Sequence, residues 1–210
     1  MAGGAATRMG GVEKPVVLLD GRPMIAYVID TLAASRNIGR IYVAVSGRVP
    51  QTAEYVRTAL ACAGRVSSVM TPGVGYVEDT AHAAEALGLF RPFLVISSDV
   101  PLATTAVIDG AIAAYEASGC EALSVRVDAS CVPPELEPDT VLEDEGKRNV
   151  PAGINIVDGR HMGRYQKESL FIVRDGRLAA NVNYRKDLAY CEKIIREERP
   201  RRQARRQAHQ

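Results

Sequence analysis

Short apolar runs at residues 16–19, 41–45, 66–70, 93–97 and 122–127 alternate with segments of helical spacing at 24–35, 52–63, 78–87 and 104–118. Runs that are apolar on successive residues, rather than on every second one, belong to strands buried on both faces. Each is followed by a stretch able to cross back over a sheet, so the pattern predicts an α/β layered fold with a largely parallel sheet. The 104–118 segment is rich in alanine, carries apolar residues three and four apart, and stops at Gly119. With 210 residues, 47% apolar and 24% charged, the chain has the balance of a globular domain and the length for a sizeable core. No apolar run approaches the ~18–20 residues of a membrane span, and the opening residues lack the apolar stretch of a secretory signal. A cytoplasmic protein with no membrane span is expected.

Past residue 128 the rhythm breaks. Residues 128–149 hold three prolines and many acids and read as an exposed excursion. Ordered structure is expected to resume at 152–157, 170–173 and 178–182, ahead of a last helix over about 185–198 that Pro200 stops. The net charge of +1 conceals an asymmetry: the last fifteen residues carry six arginines against two glutamates, while the preceding 195 carry 20 basic and 23 acidic side chains. The expectation is one domain over 1–195 and a basic, disordered tail over 196–210, with no nucleic-acid partner. Cysteines at 62, 120, 131 and 191 form no C-x-x-C pair and have no histidine at zinc-ligand spacing, so they read as reduced packing or surface thiols.

The segment that carries chemistry is the first one: Ala2-Gly3-Gly4-Ala5-Ala6-Thr7-Arg8-Met9-Gly10, then Lys14-Pro15. Closely spaced glycines let a backbone approach an anion, and successive N–H groups in such a loop make a phosphate-binding concavity. Arg8 and Lys14 add two cations to the same segment, a combination suited to a triphosphate attacked at its α-phosphorus. A Walker loop is excluded because Pro15, not Ser or Thr, follows Lys14, and the G-x-G-x-x-G dinucleotide spacing is absent.

The pattern AGGxxTRMGxxxKP, followed by LLDGRPMIAYVID, resembles the nucleotidyltransferase superfamily of MobA-like NTP transferases. GYVED at 75–79, SSDVPL at 97–102, VPAGIN at 150–155, YQKE at 165–168 and NVN at 181–183 are similar to the archaeal guanylyltransferases that act on adenosylcobinamide phosphate, from near residue 1 to near residue 195. The resemblance implies a Rossmann-like three-layer α/β/α fold of the nucleotide-diphospho-sugar-transferase type, with a mostly parallel mixed sheet. It implies transfer of GMP from GTP to adenosylcobinamide phosphate in coenzyme B12 biosynthesis, with Mg2+ as cofactor. Carried over by position, Ala2, Gly3, Gly4 and Thr7 would cradle the phosphates, Arg8 and Lys14 would stabilise charge, and Asp99 and Asn183 would hold the metal. Glu78 or Asp79 would read guanine, and Gly153 and Asn155 would approach the acceptor.

Each residue has a plainer reading. Asp99 before Val100-Pro101 can begin a turn, Asn183 can cap the last helix, and Glu78 and Asp79 suit a helix start on dipole grounds alone. The phosphate loop also fits a molybdenum-cofactor guanylyltransferase or a sugar-phosphate nucleotidyltransferase, and a non-catalytic nucleotide-binding protein is a further alternative. Without a P-loop, no kinase activity is expected, and a homodimer is compatible with the reading. One departure stands out: in the superfamily a short apolar strand precedes the Ala-Gly-Gly loop, whereas here Met1 stands directly before Ala2. The first strand is therefore expected to be missing, with the natural start several codons upstream.

Overall fold

The computed structural model describes residues 1–2, 11–60 and 64–207, with side chains up to Glu198. Pro15 opens a short 3-10 turn, Lys14–Val16, and the chain then forms a two-residue hairpin, β1 (Leu18–Leu19) against β2 (Arg22–Pro23). Asp20 (φ 49°) and Gly21 (φ 78°) are both left-handed, as a two-residue hairpin turn that matches strand twist requires. The 16–19 run is thus not a strand of the main sheet; its Leu19 is fully buried in the main core, and the Tyr27 hydroxyl donates to the Leu19 carbonyl.

From here the alternation read from the sequence is met: α1 (Met24–Ala34), β3 (Ile41–Val45), α2 (Pro50–Tyr55) continuing into a π-helical turn Val56–Leu60, β4 (Val66–Met70), α3 (Tyr76–Ala86), β5 (Pro92–Ile96), α4 (Thr105–Ser118) and β6 (Ala122–Asp128). The bounds of α4 follow from its caps. The Thr104 hydroxyl accepts from the Val107 N–H at one end, and Gly119 takes the left-handed conformation (φ 62°) at the other.

The second half differs from the sequence reading in three places. The acidic excursion is not all exposed coil: Leu136 is buried, and β7 (Leu142–Asp144) pairs with β8 (Lys147–Asp158) across a turn in which Glu145 and Gly146 are both left-handed. After β9 (Glu168–Val173), the 178–182 run is no strand, because Asp175 accepts the Arg177 N–H and winds Gly176–Ala179 into a 3-10 turn. The last helix, α5 (Arg185–Gln207), runs on through Pro200 rather than stopping, so the backbone of 196–207 is helical. An interior proline costs a helix about 3 kcal/mol; the Arg, Gln, Ala and Glu around it are strong helix formers.

β3 pairs with β4 in parallel, and β5 belongs to a five-stranded sheet ordered β5-β8-β6-β9 with β7 on β8. β8 is antiparallel to both of its main neighbours, while β6 and β9 are parallel. The two sheets meet through residues 1 and 2. The Met1 amine donates to the Ile96 carbonyl (2.6 Å), the Ser98 N–H to the Met1 carbonyl (3.0 Å), and the Ala2 N–H to the Ala44 carbonyl (2.9 Å). That is the slanted bonding of a parallel ladder, so β3, β4, β5, β6 and β9 run in one sense and β8 alone among the long strands runs against them.

Side chains alternate across the strands. Tyr42, Ala44 and Val69 meet Ala83 of α3 and Leu87 just beyond its end, forming a small separate cluster. Ile41, Val43 and Val45 join the main core with α1 and α4. Those two helices pack together, the Thr31 hydroxyl donating to the Ala103 carbonyl and the Ser35 hydroxyl to Asp109. Among the described residues no helix is long and apolar enough to cross a membrane, and Cys120, Cys131 and Cys191 are free, burial pushing the Cys191 thiol up to about 12.

Candidate active site

In an open parallel sheet, backbone and side chains at the carboxyl ends of the strands converge where strand order reverses. Here that place is the junction of β3 and β5, and three polar residues far apart in sequence meet beside it. The Lys14 ammonium donates to Asp99 Oδ2 (3.0 Å) and to Asn183 Oδ1 (2.7 Å). Asp99 lies just beyond β5, its carbonyl accepting the Val182 N–H and so fixing the strand end to the segment that carries Asn183. Both Lys14 and Asp99 are about one-fifth exposed.

Lys14 is held in place by its neighbour. The Glu13 carboxylate accepts the N–H groups of Gln51 and Thr52 (2.8 and 2.6 Å) and the Thr52 hydroxyl (2.8 Å). These N–H groups open α2, where Val49 at the cap position offers no side-chain acceptor. Glu13 therefore caps a helix from a distance and pins the backbone one residue before the lysine. It is buried, and its only sequence signal was its place beside Lys14.

Asn183 is not the cap of α5. Asp187, in the first turn, reaches back to the N–H groups of Asn183 and Tyr184 (2.9 and 2.8 Å), the acidic half of a capping box. That leaves the Asn183 amide free to give its oxygen to Lys14 and its N–H to Asp139 (3.0 Å). Asp139, to which the Tyr184 hydroxyl is also bonded, belongs to the acidic excursion and was passed over in the sequence. The excursion folds against the site, and a cavity of about 220 Å³ lies between it and β8, lined by Pro138, Asp139, Pro151, Asn181 and Asn183.

The adjoining acidic pair divides its work. Asp79 is buried and takes the Gly73 and Val74 N–H groups (2.8 and 3.3 Å), clasping the loop ahead of α3, while Glu78 is exposed. Gly73 (φ 74°) passes so close to Ser46 that a Cβ would stand 2.8 Å from the serine Cβ. Tyr76 and Asn155 are joined, the Asn155 amide donating to the Tyr76 hydroxyl (2.9 Å), which ties α3 to β8; burial raises the Tyr76 phenol above its ordinary value.

Gly153 sits in the middle of β8 with φ 67°, at the point where the pairing register with β6 shifts. A bulge of this kind needs a left-handed residue, and a Cβ there would crowd Val100, Ser97 and Asn181. The 165–168 stretch lies elsewhere, at the opening end of β9. Gln166 bonds the backbone of Asp158 through both ends of its amide, and Tyr165 is 84% exposed. Ala2 is buried between β3 and β5, its N–H committed to the Ala44 carbonyl. Gly3, Gly4, Thr7 and Arg8 lie outside the described residues.

Two oxygens, one carboxylate and one amide, thus converge on a single cation beside the start of the glycine-rich segment. Among the described residues no cluster of three or more His, Cys, Asp and Glu is placed to bind a metal; a two-oxygen site leaves the remaining positions of a hard cation to phosphate and water.

Residues 1–153 match the MobA-like NTP transferase domain. The chain is 35% identical over 199 residues to the adenosylcobinamide-phosphate guanylyltransferase of Methanocaldococcus jannaschii, spanning 94% of this chain and 96% of that one. Its fold is similar to that of a CMP:2-keto-3-deoxy-manno-octonic acid synthetase complexed with CTP, with a TM-score of 0.67 at 11% identity over 89% of this chain and 92% of that one. A hypothetical transferase from Thermus thermophilus is equally alike in fold, with a TM-score of 0.67 at 16% identity over 90% and 96%. The family match over residues 1–153 and the relative matched along nearly the whole chain agree: the chain is a nucleotidyltransferase and belongs to the MobA-like NTP transferase family.

Proposed function

We propose that this enzyme transfers GMP from GTP to adenosylcobinamide phosphate, giving adenosylcobinamide-GDP and pyrophosphate, a step in coenzyme B12 assembly. The observation that carries the reading is the convergence of Asp99 Oδ2 and Asn183 Oδ1 on the Lys14 ammonium at the strand ends. It is supported by the relative of that name, similar along nearly the whole chain.

The acceptor's terminal phosphate oxygen attacks the α-phosphorus of GTP, a new P–O bond forms, and the bond to the bridging oxygen of pyrophosphate breaks. An ionised phosphate needs no protein nucleophile, so catalysis is positioning and charge neutralisation. Lys14, pinned by Glu13, neutralises charge on the reacting and leaving phosphates, together with Arg8 and the N–H groups of the glycine-rich segment. Asp99 and Asn183 offer a divalent ion hard oxygen donors of the type magnesium prefers. When bound there, Mg2+ supplies Lewis-acid neutralisation of the triphosphate. Of the two adjacent acids, Glu78 is the one whose carboxylate is not spent on the loop, and it is assigned to the guanine N1–H and exocyclic amine. Gly153 and Asn155 border the acceptor. The enzyme is expected to leave unphosphorylated cobinamide unchanged.

The test is pyrophosphate release from each of the four nucleoside triphosphates, with and without adenosylcobinamide phosphate. Release from GTP that requires this acceptor supports the proposal. Release that instead requires molybdopterin or a sugar phosphate refutes the acceptor assignment and leaves only the family.

A further inference from the structure

The side chain of Asn183 has two ends of nearly the same shape and opposite chemistry, an oxygen that accepts and a nitrogen that donates. Only the oxygen can serve a cation, so the site works in one of the two orientations of this amide. Its partners select between them. On one side stands the Lys14 ammonium, which carries no acceptor and can pair only with the oxygen (2.7 Å). On the other stands Asp139, whose Oδ2 accepts from the nitrogen (3.0 Å). An ionised carboxylate cannot donate, so it can pair only with that end.

The carboxylate is itself held by the fold. Leu136 is buried in the main core, and its N–H closes a turn on the Pro133 carbonyl (3.0 Å). Glu137 pairs with Lys186 of α5, and Leu142 of β7 is in register with the buried Asn149 of β8. The start of the excursion presses on the segment that leads to Asn183, so closely that a Cβ on Gly176 would stand 1.8 Å from the Cys131 carbonyl oxygen. Asp139 lies between these anchors, and its Oδ1 accepts from the Tyr184 hydroxyl (3.3 Å). The backbone N–H of Asn183 is fixed in turn by Asp187. Both partners of the bond between Asp139 and Asn183 are thus attached to framework, so the bond can turn the amide rather than follow it.

We propose that Asp139 is a positioning residue, which keeps the nitrogen of the Asn183 amide toward the excursion and its oxygen toward the cation. The inference rests on the reading of Asn183 as a ligand of the divalent ion. Lys14 enforces the same orientation only while it occupies the site. Once Asp99 and Asn183 give their oxygens to a divalent ion, Lys14 is repelled from them and turns to the phosphates. Asp139 then holds the orientation alone, as groups behind a metal ligand commonly do.

The experiment measures Mn2+ binding to the 210-residue enzyme with GTP and no acceptor, from the electron paramagnetic resonance signal of the free ion. Asp139→Asn keeps the size of the side chain and a bond to Asn183, but it can meet either end of the amide. Mn2+ binding weakened by about fivefold or more is expected, as the fraction of correctly turned amides falls, with a melting temperature within about 2 °C of the native chain. Combining Asp139→Asn with Asn183→Asp exchanges the roles: the asparagine at 139 can then only donate, and one carboxylate oxygen at 183 is left for the ion. Binding within about twofold of the native chain is expected from the pair. A residue that merely braced the excursion would show neither the loss nor the recovery, because the bond is kept in all three chains. Unchanged binding in Asp139→Asn, or no recovery in the pair, would overturn the inference. If Asn183→Ala binds Mn2+ weakly in the same assay, the reading of the site survives that failure; unchanged binding in Asn183→Ala removes the reading and the inference together. Should Asp139→Asn not fold, the native chain decides. With nitrogen-15 asparagine, the Asn183 amide signal is assigned by its loss in Asn183→Asp, and its protons should exchange with water about a hundredfold or more slower than those of a solvated amide when Mg2+ and GTP are present. Exchange at the solvated rate would overturn the inference.

Discussion

The strand ends beside β5 and the gap between β3 and β5 adjoin one another and are built on opposite rules. The strand ends hold Lys14, Asp99, Asn183 and Asp139, polar side chains with their bonds satisfied by one another. The gap holds backbone edges and apolar walls. The first is partly exposed, so its ion pair adds little to stability, and changes there should fall on chemistry. The second lies where burial sets stability, and changes there should fall on the fold. Met1 and Ala2 join the two through their bonds to β5 and β3.

Substitutions at the polar end should separate activity from stability most sharply. Lys14→Ala is expected to slow pyrophosphate release by about 10³-fold or more while shifting the melting temperature by no more than about 2 °C; a folded variant with full activity would break the contrast. Asn183→Ala should lower the rate by about 10²-fold and raise the Mg2+ concentration needed for half-maximal rate, a titration that an ordinary helix cap would not move. Asp187→Ala, which removes the true cap of α5, should instead cost about 1 kcal/mol in denaturant unfolding and leave the Mg2+ requirement unchanged.

Smaller effects sharpen the other side. Gly153→Ala places a Cβ at φ 67° in the bulge of β8, which should cost about 1–2 kcal/mol of stability.

Much of the first half of the fold was legible in the sequence. The apolar run 41–45 coincides with the largely buried β3, and 66–70 coincides with β4, of which only Val66 and Val69 are buried. Two of the errors share a cause: a short apolar run says that residues are buried, not which backbone shape buries them. The 16–19 run became a hairpin because Asp20-Gly21 turns the chain back at once, and 178–182 became a 3-10 turn because Asp175 captures the Arg177 N–H. The excursion hid a strand because its polar residues alternate around a Glu145-Gly146 turn that only the pairing with β8 brings out.

Within the site, Lys14, Asp99 and Asn183 were singled out by residue type and motif position, and they do meet. Glu13 and Asp139 were not singled out, because their partners Thr52 and Asn183 lie 39 and 44 residues away and no local pattern links them. Asp79 illustrates the reverse case. Its place beside Glu78 at a helix start gave both acids equal standing, and only the buried bonds to Gly73 and Val74 separate them.

Guanylyl transfer to adenosylcobinamide phosphate is read from the rate of pyrophosphate release from GTP in the presence of Mg2+ and that acceptor, set against the same mixture without acceptor and with ATP, CTP or UTP in place of GTP. Release that requires the acceptor, favours GTP and yields adenosylcobinamide-GDP in equal amount is the expected result. Release independent of the acceptor, or no release from any nucleotide by the folded protein, would contradict it.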